Sequence, residues 1–324
     1  MKKYIVLVLI CIIVLTTGCG TQQADDLKVT IVLDWTPNTN HTGLYVALSK
    51  GYFAEEGLDV TIIQPQEGTA EQIVASGSAQ FGIGYQESVT FARAEGIPII
   101  SLAAVIQHNT SGFASLAEKE ITSPKDFENK KYGGWGSPIE EATLRYLMEQ
   151  EGADPEKLQI VTTGDADFFQ MSSTGEVDYA WIFEGWTGIE ARLRGIELNY
   201  IELGKVAEVF DYYTPVIITS EKMIDENREL VQKFMKAVER GYKFCIENPE
   251  EAAEILLKNV PELDRELVIE SQKYLAEKYQ DDAEYWGLQK QEVWERYMQW
   301  LFENGFIAEQ VDVTKAFTNE FLNQ

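Results

Sequence analysis

Cysteine and histidine are scarce in this chain. Three cysteines and two histidines are spread over 324 residues. The histidines, His41 and His108, stand apart from each other and from any cysteine pair, so no H-E-x-x-H or zinc-ribbon spacing exists and no metal site is expected. No G-x-S-x-G elbow is present, and Gly82-Ile83-Gly84 lacks the further glycine of a dinucleotide fingerprint. Positive charge is also sparse, with 27 Lys and Arg against 53 Asp and Glu and a formal charge of −26. Such a surface repels nucleic acid, whose binding depends on neutralising phosphates, and it has no polybasic attraction for anionic lipid. Beyond the N-terminus, no run is long and apolar enough to cross a bilayer.

The N-terminus is different. Lys2 and Lys3 precede an apolar run from Tyr4 to Leu15, followed by Thr16-Thr17-Gly18-Cys19. Positive charge, a short apolar core and small residues in that order read as a signal peptide over residues 1–18. Gly18-Cys19 resembles a bacterial lipoprotein processing box, with Thr16 where Leu is usual. Cys19 is therefore expected to carry lipid and residues 19–27 to form a tether, placing the protein at the cell membrane on its outer face. Two or more acyl chains anchor a protein well. Loss of Lys2 and Lys3 takes the charge from −26 to −28. Cys11 leaves with the signal, and Cys245 then has no partner for an intramolecular disulfide. It is read as a buried, inert thiol.

The remaining chain alternates short β-rich runs with helical stretches, which indicates an α/β fold with largely parallel sheets. Strands are expected at Val29–Leu33, Leu58–Ile63, Phe81–Gly84, Ile97–Ile106, Lys131–Trp135, Leu158–Thr162, Val177–Phe183, Leu198–Leu203 and Val216–Thr219. The C-terminal third reads as amphipathic helices from Asp225 onward. Crossings near Gln107-His108 and Tyr213-Thr214-Pro215 suggest two lobes, one from residues 28–107 plus 215–324 and the other from 108–214.

Five loops at strand ends concentrate aromatic and polar residues, where open α/β sheets place their ligands. Asp34-Trp35-Thr36-Pro37-Asn38 offers Trp35 for stacking and Asn38 for hydrogen bonding; a capped turn is the rival reading. Gly84-Tyr85-Gln86-Glu87-Ser88 adds Tyr85 and Glu87. Gly133-Gly134-Trp135-Gly136-Ser137-Pro138 pairs Trp135 with a helix start whose backbone N–H groups suit an oxygen or anion, with Gly136 and Ser137 beside it; Glu140 and Glu141 suit the positive end of that helix, and a structural turn is the rival reading. Trp181-Ile182-Phe183-Glu184-Gly185-Trp186 gives Trp181, Trp186 and an acceptor, Glu184. Asp211-Tyr212-Tyr213-Thr214-Pro215 places Tyr212 at the suspected hinge, where an Asp beside two Tyr residues could close a pocket; hinge structure alone is the rival reading.

Taken together, these motifs resemble the thiamine-precursor binding proteins of bacterial ABC importers, a group related to the yeast pyrimidine-synthesis enzymes of thiamine biosynthesis. The resemblance covers about Lys28 to Phe306. It implies a type II periplasmic-binding-protein fold with two α/β lobes and a two-strand hinge. It also implies a cleft for N-formyl-4-amino-5-aminomethyl-2-methylpyrimidine, and an ABC permease with its ATPase as partners. Trp35, Asn38, Tyr85, Glu87, Trp135, Gly136, Ser137, Trp181, Glu184, Trp186 and Tyr212 are the expected ligand-binding residues. No cofactor and no catalytic residue are expected. The yeast relatives carry a cysteine-rich motif that this chain lacks, which weighs against an enzyme. The alternatives are a receptor for another flat heterocycle, such as riboflavin or a flavin precursor, and a pyrimidine-synthesising enzyme.

Overall fold

The computed structural model describes residues 27–65, 67–164 and 166–323. The expected signal peptide, Cys19 and the tether through residue 26 lie outside them. Among the described residues, no helix is long and apolar enough to cross a membrane.

The first sheet contains β1 (Leu27–Val32), β2 (Leu58–Ile63), β3 (Phe81–Gly84) and β4 (Ile99–Ala104). The second contains β5 (Ser111–Leu116), β6 (Lys131–Gly134), β7 (Gln159–Thr162), β8 (Tyr179–Phe183) and β9 (Leu198–Glu202). The chain then returns, and β10 (Val216–Ser220) joins the first sheet. The strand orders are β2-β1-β3-β10-β4 and β7-β6-β8-β5-β9. Each sheet has a parallel trio and one antiparallel strand inserted between its third and last strands. The sheets are thus mixed rather than largely parallel, because the strands after the crossings, β5 and β10, run against their neighbours.

The expected elements at 58–63 and 81–84 match β2 and β3. The expected strand at 97–106 shortens to β4, whose start follows Pro98, a residue that cannot donate to a ladder. β1 begins at Leu27, two residues before the expected start at Val29. β5 and the helix Phe168–Thr174 were not expected.

The first sheet is covered by the helices Thr42–Ser49 and Glu221–Glu247. They approach closely because two glycines meet. A Cβ on Gly241 would lie 2.0 Å from the Gly43 carbonyl oxygen. Beside them Tyr242 stacks on Trp286, with centroids 4.5 Å apart. The helix Gln291–Glu303 reaches across toward the second sheet. On it, Trp300 meets Phe210 and Tyr146 edge-on at 5.0 and 5.8 Å, and Tyr297 meets Tyr212 at 4.5 Å. One apolar cluster therefore joins both sheets.

Candidate ligand cleft

The strand-end loops of the two sheets converge on a cleft of about 610 Å³. Trp35, Asn38, Tyr85, Glu87, Trp135, Trp181, Trp186 and Tyr212 line it. So do Asp34, Thr39, Thr110, Ser111, Phe168 and Phe183, which the sequence reading did not single out for this role.

The loop after β1 is held by a side-chain network. Asn38 has extended backbone, and its side-chain oxygen caps the short 3-10 turn Thr39–His41 by accepting from Asn40 N–H at 2.8 Å. Its amide nitrogen donates to the Thr36 carbonyl at 3.1 Å. The side-chain oxygen of Asn38 thus already has a partner, and one amide proton remains. The Asn38 backbone N–H donates to His41 Nδ1 at 3.1 Å, so His41 carries its proton on Nε2. That nitrogen faces Asp34 Oδ1 at 2.6 Å, and the Tyr85 hydroxyl donates to Asp34 Oδ2 at 2.7 Å. Burial pushes the Asp34 carboxyl up, but His41 and Tyr85 together outweigh it and hold the group below the ordinary carboxylate range. Burial, and then the Asp34 charge, push the Tyr85 hydroxyl well above its ordinary value, so it stays a donor.

Glu87 lies on the helix Gln86–Ala94, half-buried as a residue. Burial raises its carboxyl to about 7, opposed by the neighbouring Tyr212 hydroxyl and reinforced by Glu71. Its Oε2 is buried and has no hydrogen-bond partner among the described residues. Glu71 is itself bonded by the Ser88 hydroxyl at 2.5 Å.

The walls are aromatic. Trp35 is 49% exposed and Trp135 is 46% exposed, so each offers a free ring face. Trp135 leans on Trp181 with centroids 5.6 Å apart. Trp181 and Phe183 alternate along β8 and both reach the cleft.

Three expected residues are placed elsewhere. Gly136 and Ser137 do not line the cleft. Their backbone N–H groups donate to Glu140 Oε2 at 2.8 Å each, and the Tyr132 hydroxyl and the Trp135 backbone N–H donate to its Oε1. The helix start is an anion site, but Glu140 of the same chain fills it. The spacing Ser137-x-x-Glu140 is a capping box and carried that signal. Glu184 starts a π-helical turn, and its carboxylate pairs with Arg192 instead of facing the cleft.

At the suspected hinge, Asp211 accepts from Asn109 N–H at 2.9 Å and pairs with His108 Nδ1 at 2.7 Å, instead of closing a pocket. His108 also faces Asp282 at 3.2 Å. The bond to Asp211 raises the imidazole to about 9 against the effect of burial, with Asp282 adding to it. Cys245 is buried, and burial pushes its thiol well above the ordinary range, which makes it a poor nucleophile. Among the described residues, no cluster of His, Cys, Asp and Glu could hold a metal ion.

Comparison with known proteins places this geometry. The formylaminopyrimidine-binding protein of Halalkalibacterium halodurans is 32% identical, over 98% of this chain and 99% of that one. The riboflavin-binding protein RibY of Chloroflexus aurantiacus is 28% identical, over 91% and 86%. A 4-amino-5-hydroxymethyl-2-methylpyrimidine phosphate synthase of Legionella pneumophila is 26% identical, over 73% and 75%. Among solved structures, the periplasmic aliphatic sulphonate binding protein SsuA of Escherichia coli superposes with a TM-score of 0.68 at 15% identity, covering 89% and 91%. The fold is that of the periplasmic binding proteins, with two α/β lobes. With residues 38–252 matching the family described as NMT1/THI5 like, and a full-length relative beyond 30% identity, the chain belongs to the NMT1/THI5-like family.

Proposed function

We propose that this protein is the substrate receptor of an ABC importer and that it binds N-formyl-4-amino-5-aminomethyl-2-methylpyrimidine for thiamine salvage. The observation that carries the reading is Glu87, a carboxyl raised to about 7 beneath aromatic walls. An aminopyrimidine presents a ring nitrogen beside an exocyclic amine. A carboxyl that shares one proton with the ring nitrogen can accept from the amine with its other oxygen, giving two parallel hydrogen bonds. Trp35 and Trp135 supply ring faces from the loops after β1 and β6, one from each sheet. Tyr85, whose hydroxyl is spent on Asp34, still has lone pairs for a second ligand donor.

The lobes are taken as residues 28–107 plus 215–324 and residues 108–214. A ligand held between them favours the closed arrangement by its preference for it, and a permease can then distinguish loaded from empty receptor. Cys19, lipidated after cleavage, keeps the receptor at the outer face of the membrane, beside the permease and its ATPase. Glu184 reaches a ligand only by leaving Arg192, so Glu87 is assigned the first acceptor role.

Riboflavin is the second reading, favoured by the name of the Chloroflexus relative. Catalysis is disfavoured by the lack of a cysteine-rich motif and by the burial of Cys245. Calorimetric titration with the formylaminopyrimidine and with riboflavin tests the assignment. Tight binding of the pyrimidine with none of the flavin supports it, and the reverse selects the second reading. Native mass spectrometry of the protein purified without refolding would identify a retained ligand by mass.

A further inference from the structure

The loop after β8 touches the first sheet's side of the molecule at one buried polar point. Ser271, on the helix Arg265–Lys278, donates its hydroxyl to the Gly185 carbonyl in a short hydrogen bond. Its Oγ also lies 2.6 Å from Thr39 Oγ1. With the Ser271 proton committed to Gly185, the proton between the two hydroxyls belongs to Thr39. The chain of bonds therefore runs from Thr39 through Ser271 to Gly185. Thr39 is fixed from behind, because Tyr279 donates to its carbonyl at 2.6 Å. Thr39, Ser271 and Gly185 are all buried. Gly185 fits tightly, since a Cβ there would lie 3.0 Å from Leu275 Cδ2. The next residue, Trp186, packs on the cluster of Tyr45, Leu256 and Val268.

This point links three things. Thr39 belongs to the cleft loop that carries Trp35 and Asn38, Gly185 belongs to the opposite cleft loop, and Ser271 lies outside the cleft lining. We propose that Ser271 is a positioning residue for ligand retention: a clasp that holds the two cleft loops together in the closed arrangement without touching the ligand. The proposal rests on the reading of the cleft as the ligand site between two lobes. A buried carbonyl that loses its donor favours separation, because water can then reach it. Breaking the clasp therefore speeds opening, which governs ligand escape, and leaves the encounter with the open form unaffected.

The test uses Ser271→Ala, with Gly185→Ala as an independent variant from the facing loop. In stopped-flow binding of the formylaminopyrimidine, Ser271→Ala should raise koff roughly tenfold and leave kon within about twofold. Small-angle scattering of the same samples should give a larger radius of gyration than wild type. Gly185→Ala, whose methyl would press on Leu275 and push its loop away from the helix, should enlarge it as well, and the double variant should add little to either single one, because both loosen the same contact. Unchanged koff and unchanged radius in Ser271→Ala overturn the clasp. So does a loss of stability with koff and kon altered together and the radius unchanged, which marks Ser271 as merely structural. Failure of wild type to bind the pyrimidine overturns the ligand assignment instead, and the scattering comparison then decides the clasp by itself.

Discussion

The Tyr85 hydroxyl donates to Asp34 Oδ2 at 2.7 Å, tying the loop after β3 to the loop after β1 within the cleft lining. His41 holds the other oxygen of Asp34 at 2.6 Å, so the carboxylate is satisfied on both sides. Tyr85→Phe removes one of these donors in a nearly dry setting. A charge-assisted bond lost there costs about 1.5–3 kcal/mol, spread over folding and binding. The expected outcome is a lower urea midpoint and pyrimidine affinity reduced about tenfold or less, read by denaturation and calorimetry. Full affinity with unchanged stability would show that Asp34 does not depend on Tyr85.

Glu87 predicts an unusual pH dependence. Its folded-state carboxyl is raised from 4.5 to about 7. A raised carboxyl means that the folded state binds the proton more tightly than the unfolded one. Its cost to stability is absent below the unfolded value, grows as pH rises between about 4.5 and 7, and is complete above that. Glu87→Gln cannot ionise and should remove this slope. Urea midpoints from acid to neutral pH should therefore converge with wild type at the acid end and exceed it at the neutral end. Parallel curves for the two proteins would refute a buried, proton-binding Glu87.

His108 should make stability fall with rising pH as Glu87 does, but in a higher window and by losing a favourable charge. Its imidazole is raised to about 9, first by the Asp211 hydrogen bond. The stabilisation is complete below the unfolded value near 6.5 and disappears as pH rises through about 9. The groups facing it are Asp211 and Asp282. His108→Asn should give a flatter midpoint profile across this window than wild type. The side chain is 44% exposed, so the effect is a modest shift that salt reduces further.

The helix crossing at Gly43 and Gly241 carries a prediction about folding alone. Gly241→Ala would put a methyl 2.0 Å from the Gly43 carbonyl, and backbone there cannot swing aside. Overpacking of this kind costs about 1–3 kcal/mol or more. The melting temperature should fall by several degrees, while pyrimidine affinity measured well below the melt stays near wild type. A large loss of affinity with an unchanged melt would contradict the assignment of this crossing to the scaffold.

These relationships differ in how visible they were in sequence. β2 and β3 were legible from β-branched and apolar runs bounded by glycine. Trp35, Tyr85, Trp135 and Trp181 were legible because aromatic residues gathered at strand ends. β5 was missed because Ser111-Gly112-Phe113-Ala114-Ser115-Leu116 is small and weakly alternating. Its composition answers to packing, since a Cβ on Gly112 would lie 2.2 Å from the Ile201 carbonyl oxygen on β9. Asp34 was passed over as a buried anchor because its partners, His41 and Tyr85, come together only through the fold. Glu184 looked like the acceptor because it stands among aromatics, but Arg192, a little further along, takes its carboxylate. Glu140 was read only as a favourable helix-start charge, yet its spacing from Ser137 meant that it would also consume the free N–H groups.

The last prediction separates the roles of the two carboxylates in ligand binding. If Glu87 and the pyrimidine ring share one proton, that proton must be present for both hydrogen bonds to form. Wild-type affinity should then decline above pH 7, toward about tenfold per pH unit, as the pair loses its proton. Glutamine supplies a donor and an acceptor in nearly the same places and has no proton to lose. Glu87→Gln should therefore keep much of the affinity at neutral pH and hold it above pH 7. Glu87→Ala removes both partners, leaves two ligand polar groups unmatched, and should weaken binding more than tenfold, from about 1–3 kcal/mol for each group left unpaired. Glu184→Gln perturbs a partly exposed pair with Arg192 and should change affinity by no more than about twofold. Calorimetry of these variants across neutral to alkaline pH decides the matter. A strong loss in Glu184→Gln, with Glu87→Gln following the same alkaline decline as wild type, would transfer the acceptor role from Glu87 to Glu184.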